Sequence, residues 1–208
     1  MRPPSSILGL GFGLSLVLGG CSSGPAKARE YLLAARVPAA TSREGPKLPP
    51  LRVKPLVPRG FLDRSAIAWR EGDVRSGAYQ YLRWSEPPAE AATRALVDAL
   101  RARGAFEQVD TAAARTSGRC TLSGELLGFH EESDEQGGHA AGVAELELVV
   151  EIASDDPAAA PRRRIVRARH AVAAGDETME ALVRAVSAAL EQTLAELLPQ
   201  VEAAAAAR

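Results

Sequence analysis

The sequence predicts an α+β fold: one antiparallel or mixed sheet of about six strands with two helices packed on one face. Three observations carry that expectation. The segment "GVAELELVVEI" sets Ala144, Leu146, Leu148, Val150 and Ile152 against Val143, Glu145, Glu147, Val149 and Glu151, the period-two alternation of a half-buried strand. Two other segments repeat apolar residues every three or four positions, as an amphipathic helix does: Ala92, Leu96, Ala99 and Leu100, then Met179, Leu182, Val183, Val186, Leu190, Leu194 and Leu197. The element order, three strands and a helix given twice, suggests two similar β-β-β-α halves in one sheet.

The first strand is expected in "LRVKPLVP", where Leu51, Val53 and Pro55 alternate with Arg52 and Lys54. Pro55 has no N–H to give a ladder and argues for a sheet edge. After a Pro58-Arg59-Gly60 turn, "FLDRSAIAWR" reads as a second extended run. Beyond the polar turn "EGDVRSG", "AYQYLRW" reads as a third, with Tyr79, Tyr81 and Arg83 opposite Gln80, Leu82 and Trp84. Together they predict a meander. The helix that follows starts near Ser85, a capping residue, with Pro87 or Pro88 in its first turn and Glu86 and Glu90 at its positive end. Gly104 is placed to stop it.

The second strand group is "RCTLSGELLGFH", "GVAELELVVEI" and "RRRIVRARHAVA". In the last of these, Val166, Ala168, His170 and Val172 share the apolar face, where His170 reads as a hydrogen-bonded core histidine. Arg163, Ile165, Arg167 and Arg169 share the other face. Antiparallel pairing would oppose outward glutamates to outward arginines, each pair worth up to about 1 kcal/mol. "PRRRIVRAR" is therefore expected to be a solvated, charge-paired face, in preference to a patch for anionic lipid or nucleic acid. The final helix begins near Glu177. Pro199 is expected to interrupt it and "EAAAAAR" to fray.

Ahead of this domain the chain opens "MRPPSSILGLGFGLSLVLGGC", with Arg2, an apolar run from Ile7 to Leu18, and small residues after it. That is the layout of an export signal. The run is too short for a membrane span, which needs about 20 apolar residues. Leu18-Gly19-Gly20-Cys21 resembles the lipobox of bacterial lipoproteins, whose cysteine thiol receives a diacylglyceryl group, and after cleavage an N-acyl chain. The expected organisation is a signal peptide at 1–20, a lipidated N-terminus and tether at 21–50, a folded domain at 51–199 and an alanine-rich tail at 200–208. "YLLAA" within the tether reads either as an isolated edge strand or as a segment docked on the domain. With Cys21 lipidated, Cys120 has no intrachain partner and is expected to be a small buried hydrophobe.

The balance of 25 basic and 26 acidic residues excludes a global basic field for nucleic acid. Hydrophobic residues make up 46% of the chain but aromatics only 4%, so the core is expected to be thin in large side chains. The one cluster with catalytic residue types is "HEESDEQGGH", with His130, Glu131, Glu132, Asp134, Glu135 and His139. A zinc-peptidase helix needs histidines at i and i+4, and here the residue four after His130 is Asp134. A hairpin loop suits the stretch better, and a metal-dependent envelope hydrolase is the least favoured function.

The ordered set "LRVKPLVPRGFLDRSAIAWREGDVRSGAYQYLRWSEPPAEAATRALVDALRARGAF", with the lipobox, "YLL" and the amphipathic last helix, resembles the ABC-type transport auxiliary lipoprotein family. This is the PqiC-like lipoprotein component of MCE lipid-transport systems. The Pro87-Pro88 pair and the loop from Ala153 to Pro161 depart from the pattern. The resemblance implies a non-catalytic periplasmic domain, anchored to the outer membrane, that docks an MCE-domain protein while another subunit hydrolyses ATP. Ser22 follows Cys21 in place of the aspartate that retains lipoproteins at the inner membrane. It implies no cofactor beyond the lipid on Cys21 and no nucleic acid, and it leaves a homo-oligomer open. For the partner surface the candidates are Phe61, Leu62, Asp63, Arg64, Tyr79, Tyr81, Arg83 and Trp84, because Tyr, Trp and Arg are enriched at interface hot spots. Trp84 at a strand-to-helix junction and Phe61 in a turn are more often core plugs, and Trp69 and Tyr79 are similarly ambiguous. A lipopolysaccharide-export or outer-membrane assembly lipoprotein is the alternative, with "PRRRIVRAR" as its contact loop.

Overall fold

The computed structural model describes residues 27–35, 46–111, 120–133, 141–152, 161–173, 176 and 178–206. Cys21 and the 134–139 stretch lie outside them. In chain order the elements are β1 (Arg29–Tyr31), β2 (Leu51–Val53), β3 (Val57–Pro58), a 3-10 turn (Gly60–Asp63), β4 (Ala66–Glu71), β5 (Arg75–Trp84), α1 (Pro88–Arg103), β6 (Val109–Thr111), β7 (Cys120–Ser133), β8 (Ala141–Ile152), β9 (Arg162–Ala171) and α2 (Met179–Ala206). The fold is α+β with one mixed sheet, as expected. Among the described residues it has nine strands, because several pieces of two or three residues join the longer ones.

β7 is the axis of the sheet. On one side β8 runs antiparallel along its length, and β9 runs antiparallel to β8. On the other side the chain from Leu51 to Glu71 travels parallel to β7 in three steps, with β2 beside Cys120–Leu122, β3 beside Glu125 and Leu126, and β4 beside His130–Ser133. The expected meander is therefore not formed: only β4 and β5 pair with each other, while β2 lies between β7 and β6. Pro55 does not mark an edge. It falls in the gap between β2 and β3, where a missing N–H costs the ladder nothing. "FLDR" is a 3-10 turn rather than a strand, entered through Gly60 at φ 57°.

α1 starts as its prolines dictate. Pro88 occupies the first turn and the Pro87 carbonyl accepts from the N–H groups of Glu90 and Ala91. Ser85 does not cap: the N-cap position falls two residues later, at Pro87, and the Ser85 N–H donates to the Tyr31 carbonyl at 2.8 Å. Gly104 ends the helix at φ 63°, as expected. α2 does not stop at Pro199 but continues to Ala206. Pro199 removes one backbone hydrogen bond. Packing offsets the loss: Val201, Ala204 and Ala205 are buried, Glu202 accepts from the Arg103 guanidinium of α1 at 2.5 and 3.1 Å, and Arg162 of β9 donates to the Ala204 carbonyl. "EAAAAAR" through Ala206 is thus part of the domain, not a frayed tail.

One buried cluster takes in both helices and the sheet, with Leu51, Ile67, Leu96, Leu122, Leu126, Phe129, Leu146, Leu190 and Leu194 at its centre. His170 is not in it. β9 is an edge strand from which Val166, Ala168 and Val172 reach the core, and His170 is left exposed, a correction to the expectation above.

Candidate functional site

The eight residues expected at a partner surface separate into three groups. In the 3-10 turn the backbone closes by Leu62 N–H to the Arg59 carbonyl (3.2 Å) and Arg64 N–H to the Phe61 carbonyl (3.3 Å). This tight winding sends neighbouring side chains in different directions. Leu62 turns into the core, whereas Phe61 stays 50% exposed and Asp63 and Arg64 lie in solvent. The end of the turn is tied to the end of β5 by the Trp84 N–H donating to the Ser65 carbonyl at 2.6 Å. Tyr81, 45% exposed, and Arg83 therefore share the surface beside Arg64.

Trp84 is beneath this surface, not on it. It is 3% exposed and its ring lies 5.1 Å from that of Phe129, tilted by 51°. Tyr79 is separated from the set by an irregularity in the β4–β5 ladder: Ala66 pairs with Arg83 and Ala68 with Ala78, so Ile67 alone faces Tyr79 to Leu82. The extra residues turn Tyr79 and Leu82 toward the core together. The Tyr79 hydroxyl donates to Glu131 at 2.5 Å, and burial, then this bond, pushes the phenol above its ordinary pKa. What remains on the surface is Phe61, Asp63, Arg64, Tyr81 and Arg83. Leu62 and Trp84 support it from below.

The sequence also carried a feature beside this surface that its composition understated. "YLLAA" docks on the domain, the second of its two readings. β1 adds in parallel to the end of β5, with Tyr31 beside Trp84. Leu33 packs on the core, and the Ala34 N–H donates at 3.2 Å to the Ser187 hydroxyl of α2, which in turn donates to the Val183 carbonyl. Between Leu33 and Ala35 on one side and Ala91, Ala95 and Ala99 of α1 on the other is a shallow cavity of about 370 Å³. The apolar YLL run was the signal, but a run of three apolar residues cannot say which surface it covers.

On the far face of the sheet the arginines of β9 are paired as expected. Arg163 meets Glu147 at 3.0 Å, and Arg167 and Arg169 meet Glu132 at 2.6 and 3.2 Å. Burial opposes ionisation of Glu132, yet the two arginines hold its carboxyl below its ordinary pKa. His130 lies among these groups with Nε2 buried and without a hydrogen-bond partner. Burial pushes its pKa down, helped by Arg167 and Arg70 and opposed by Glu132. A base with a depressed pKa stabilises the fold fully above its unfolded value, near 6.5, and loses that contribution as pH falls toward the folded value. Urea stability is therefore expected to decline from about pH 6.5 downward, before the carboxylates titrate, and to lose that component in His130→Leu. An unchanged profile in the variant would show that His130 is not the group responsible.

Successive residues of a strand face opposite ways, so Glu131 points away from His130 and Glu132: Glu131 serves Tyr79, and Glu132 serves the arginines. Asp134, Glu135 and His139 lie outside the described residues, among which no three His, Cys, Asp or Glu side chains could share a metal. Cys120 is buried, and burial pushes its thiol up to about 11. No helix among the described residues is long and apolar enough to cross a membrane.

A family model described as the ABC-type transport auxiliary lipoprotein component matches residues 31–197. No curated protein is recognisably similar in sequence. Solved structures share the fold. Protein XCC0632 from Xanthomonas campestris, of family DUF330, superposes with a TM-score of 0.69 at 17% identity, covering 85% of this chain and 96% of that one. An uncharacterised protein gives 0.61 at 15% identity, covering 84% and 99%. The hypothetical protein CT253 from Chlamydia trachomatis gives 0.55 at 10% identity, covering 77% and 99%.

Proposed function

Because the chain belongs to the ABC-type transport auxiliary lipoprotein family, we propose that it is a non-catalytic accessory subunit of an MCE-type phospholipid transporter. It is anchored through a lipid on Cys21 to the periplasmic face of the outer membrane and docks the MCE-domain protein. ATP hydrolysis belongs to another subunit. The observation that supports docking is the exposed cluster of Phe61, Asp63, Arg64, Tyr81 and Arg83 on a rigid base of Leu62 and Trp84. Aromatic side chains, with two χ angles each, lose little entropy on binding, and arginines add charged donors at such surfaces. The pairing of β1 with β5 shortens the tether expected from the sequence. Eight residues lead from Cys21 to Arg29, so at about 3.3 Å each the domain is held within roughly 26 Å of its anchor.

The experiment is site-specific photocrosslinking in the host envelope, with the photoreactive residue at Phe61 or Tyr81 and, as a control, at exposed Ile165 of β9. Adducts to the MCE protein are expected from the first two positions and not from the third, and Cys21→Ser is expected to release the protein from the membrane fraction. MCE adducts absent from Phe61 and Tyr81, or equally strong from Ile165, would remove the docking surface.

A further inference from the structure

The sheet has two poles, and the proposed tether is long enough to bring only one of them to a bilayer. β7 runs from Cys120 to Ser133, roughly 40 Å at about 3.3 Å per residue. At its far end Glu71 of β4 lies beside Ser133, so the turn at 72–74, which joins β4 to β5, stands at that pole. At the other pole Leu51 is level with both Cys120 and Val109, and Glu107 lies beyond them. β1 sits between the two. Arg29 pairs with Leu82, next to the Ala66–Arg83 pair, so the length of β4, roughly 17 Å, separates it from the turn, whereas Glu107 is about 35 Å away in the opposite direction. Because β1 is parallel to β5, which climbs from Arg75 to Trp84, the backbone that leaves Arg29 toward Cys21 heads for the turn. The reach of roughly 26 Å from Cys21 to Arg29 covers the first distance and falls short of the second.

We infer that the turn at 72–74 is the membrane-contacting pole of the domain, with the Val74 side chain entering the headgroup boundary of the bilayer that holds Cys21. The inference rests on the lipid anchor proposed above and adds how the domain stands on it. Val74 is 86% exposed, more than any other large apolar side chain among the described residues. Turns are built from Gly, Asp, Asn and Ser, and a β-branched apolar residue in one gains nothing from local structure. The turn presents it stiffly. Gly72 takes φ 58°, its N–H donates to the Ser133 carbonyl at 3.1 Å, and its carbonyl accepts from Arg70 Nε at 3.2 Å. The charges around Val74 cancel, Arg70 against Asp73 at 3.7 Å and Arg75 against Glu71 at 2.8 Å, so the contact is apolar and needs no anionic lipid. One valine is too small to recruit a protein to a membrane. Held within reach by the tether, at high local concentration, it is enough to orient the domain.

The test uses the full acylated protein, purified from the host and reconstituted in vesicles of phosphatidylethanolamine and phosphatidylglycerol. A fluorescent label is placed at Val74→Cys and, as a control at the other pole, at Glu107→Cys, with the parent as blank because Cys120 is buried. Quenching by lipids spin-labelled near the top of the acyl chain is expected to be about threefold or more stronger at 74 than at 107, and to persist in high salt. A second arm leaves position 74 unlabelled. With the label at Ser76→Cys, also exposed, Val74→Glu is expected to lower quenching without moving the melting temperature. If the protein carries no acyl group and stays off the vesicles, the anchor reading and this one fall together. If it is anchored, but 74 is quenched no more than 107 or Val74→Glu leaves the Ser76→Cys label as quenched as before, the anchor stands and the inference is overturned. Quenching that disappears in high salt would make the contact electrostatic and overturn it as well.

Discussion

Gly142→Ala is expected to destabilise the domain by about 3 kcal/mol, at the severe end of overpacking substitutions, and to lower its melting temperature by roughly 6–12 °C. Gly142 is where α2 rests on the sheet. A Cβ placed there would stand 2.2 Å from the Val186 nitrogen, 2.4 Å from the Ala185 carbonyl carbon and 2.6 Å from the Val186 Cα. All three are backbone atoms of a helix, so no rotamer change relieves the clash and α2 must lift. The helix cannot do so freely. Its Thr193 hydroxyl is hydrogen-bonded to the Ala144 carbonyl of β8, and its far end is held by the Arg103–Glu202 pair. Gly104→Ala is a fair comparison, because there a Cβ meets nothing within 4 Å and only the positive φ is strained. It should cost about 1 kcal/mol. Urea unfolding of both variants checks the argument, and a Gly142→Ala protein as stable as its parent would mean that the helix does not sit this close.

Trp84→Ala is expected to cost about 4 kcal/mol, within the range for deleting a large buried aromatic, while Tyr81→Ala and Arg83→Ala stay within about 0.5 kcal/mol. The Trp84 ring packs on Phe129 in the core, and its indole Nε1 is buried without a hydrogen-bond partner. The ring is thus held by packing, and Trp84→Phe should recover most of the loss. Partner binding should follow the opposite order, with Tyr81→Ala and Arg83→Ala weakening capture of the MCE protein without unfolding. If Trp84→Ala left the melting temperature unchanged, the assignment of Trp84 to the core would be wrong.

The alanine-rich composition takes on meaning in this light. Few large side chains fill the interior, yet Ala185 and Ala189 on α2 and Gly142 on β8 let backbones approach closely, so the core is dense where it is thin. Composition alone showed the shortage of aromatics and could not show the close approach. The proposed docking surface was legible to a similar degree. The stretch around Phe61 and Tyr81 was recognisable, but which of its eight candidates point outward depends on a 3-10 turn and on a ladder irregularity, neither of which has a periodic signal.

By itself the sequence determined the α+β class, the alternating strands β7, β8 and β9, the two helices, with a proline in the first turn of α1 and Gly104 at its stop, and the family. These depend on local periodicity and on short-range stereochemistry, which a window of a dozen residues contains. Only the tertiary structure decided that β2, β3 and β4 line up along β7, that "YLLAA" seals the end of β5, that α2 persists beyond Pro199 and that His170 faces water. Each of these turns on contacts between residues far apart in the chain, whose energies of a few kcal/mol override what the local sequence prefers.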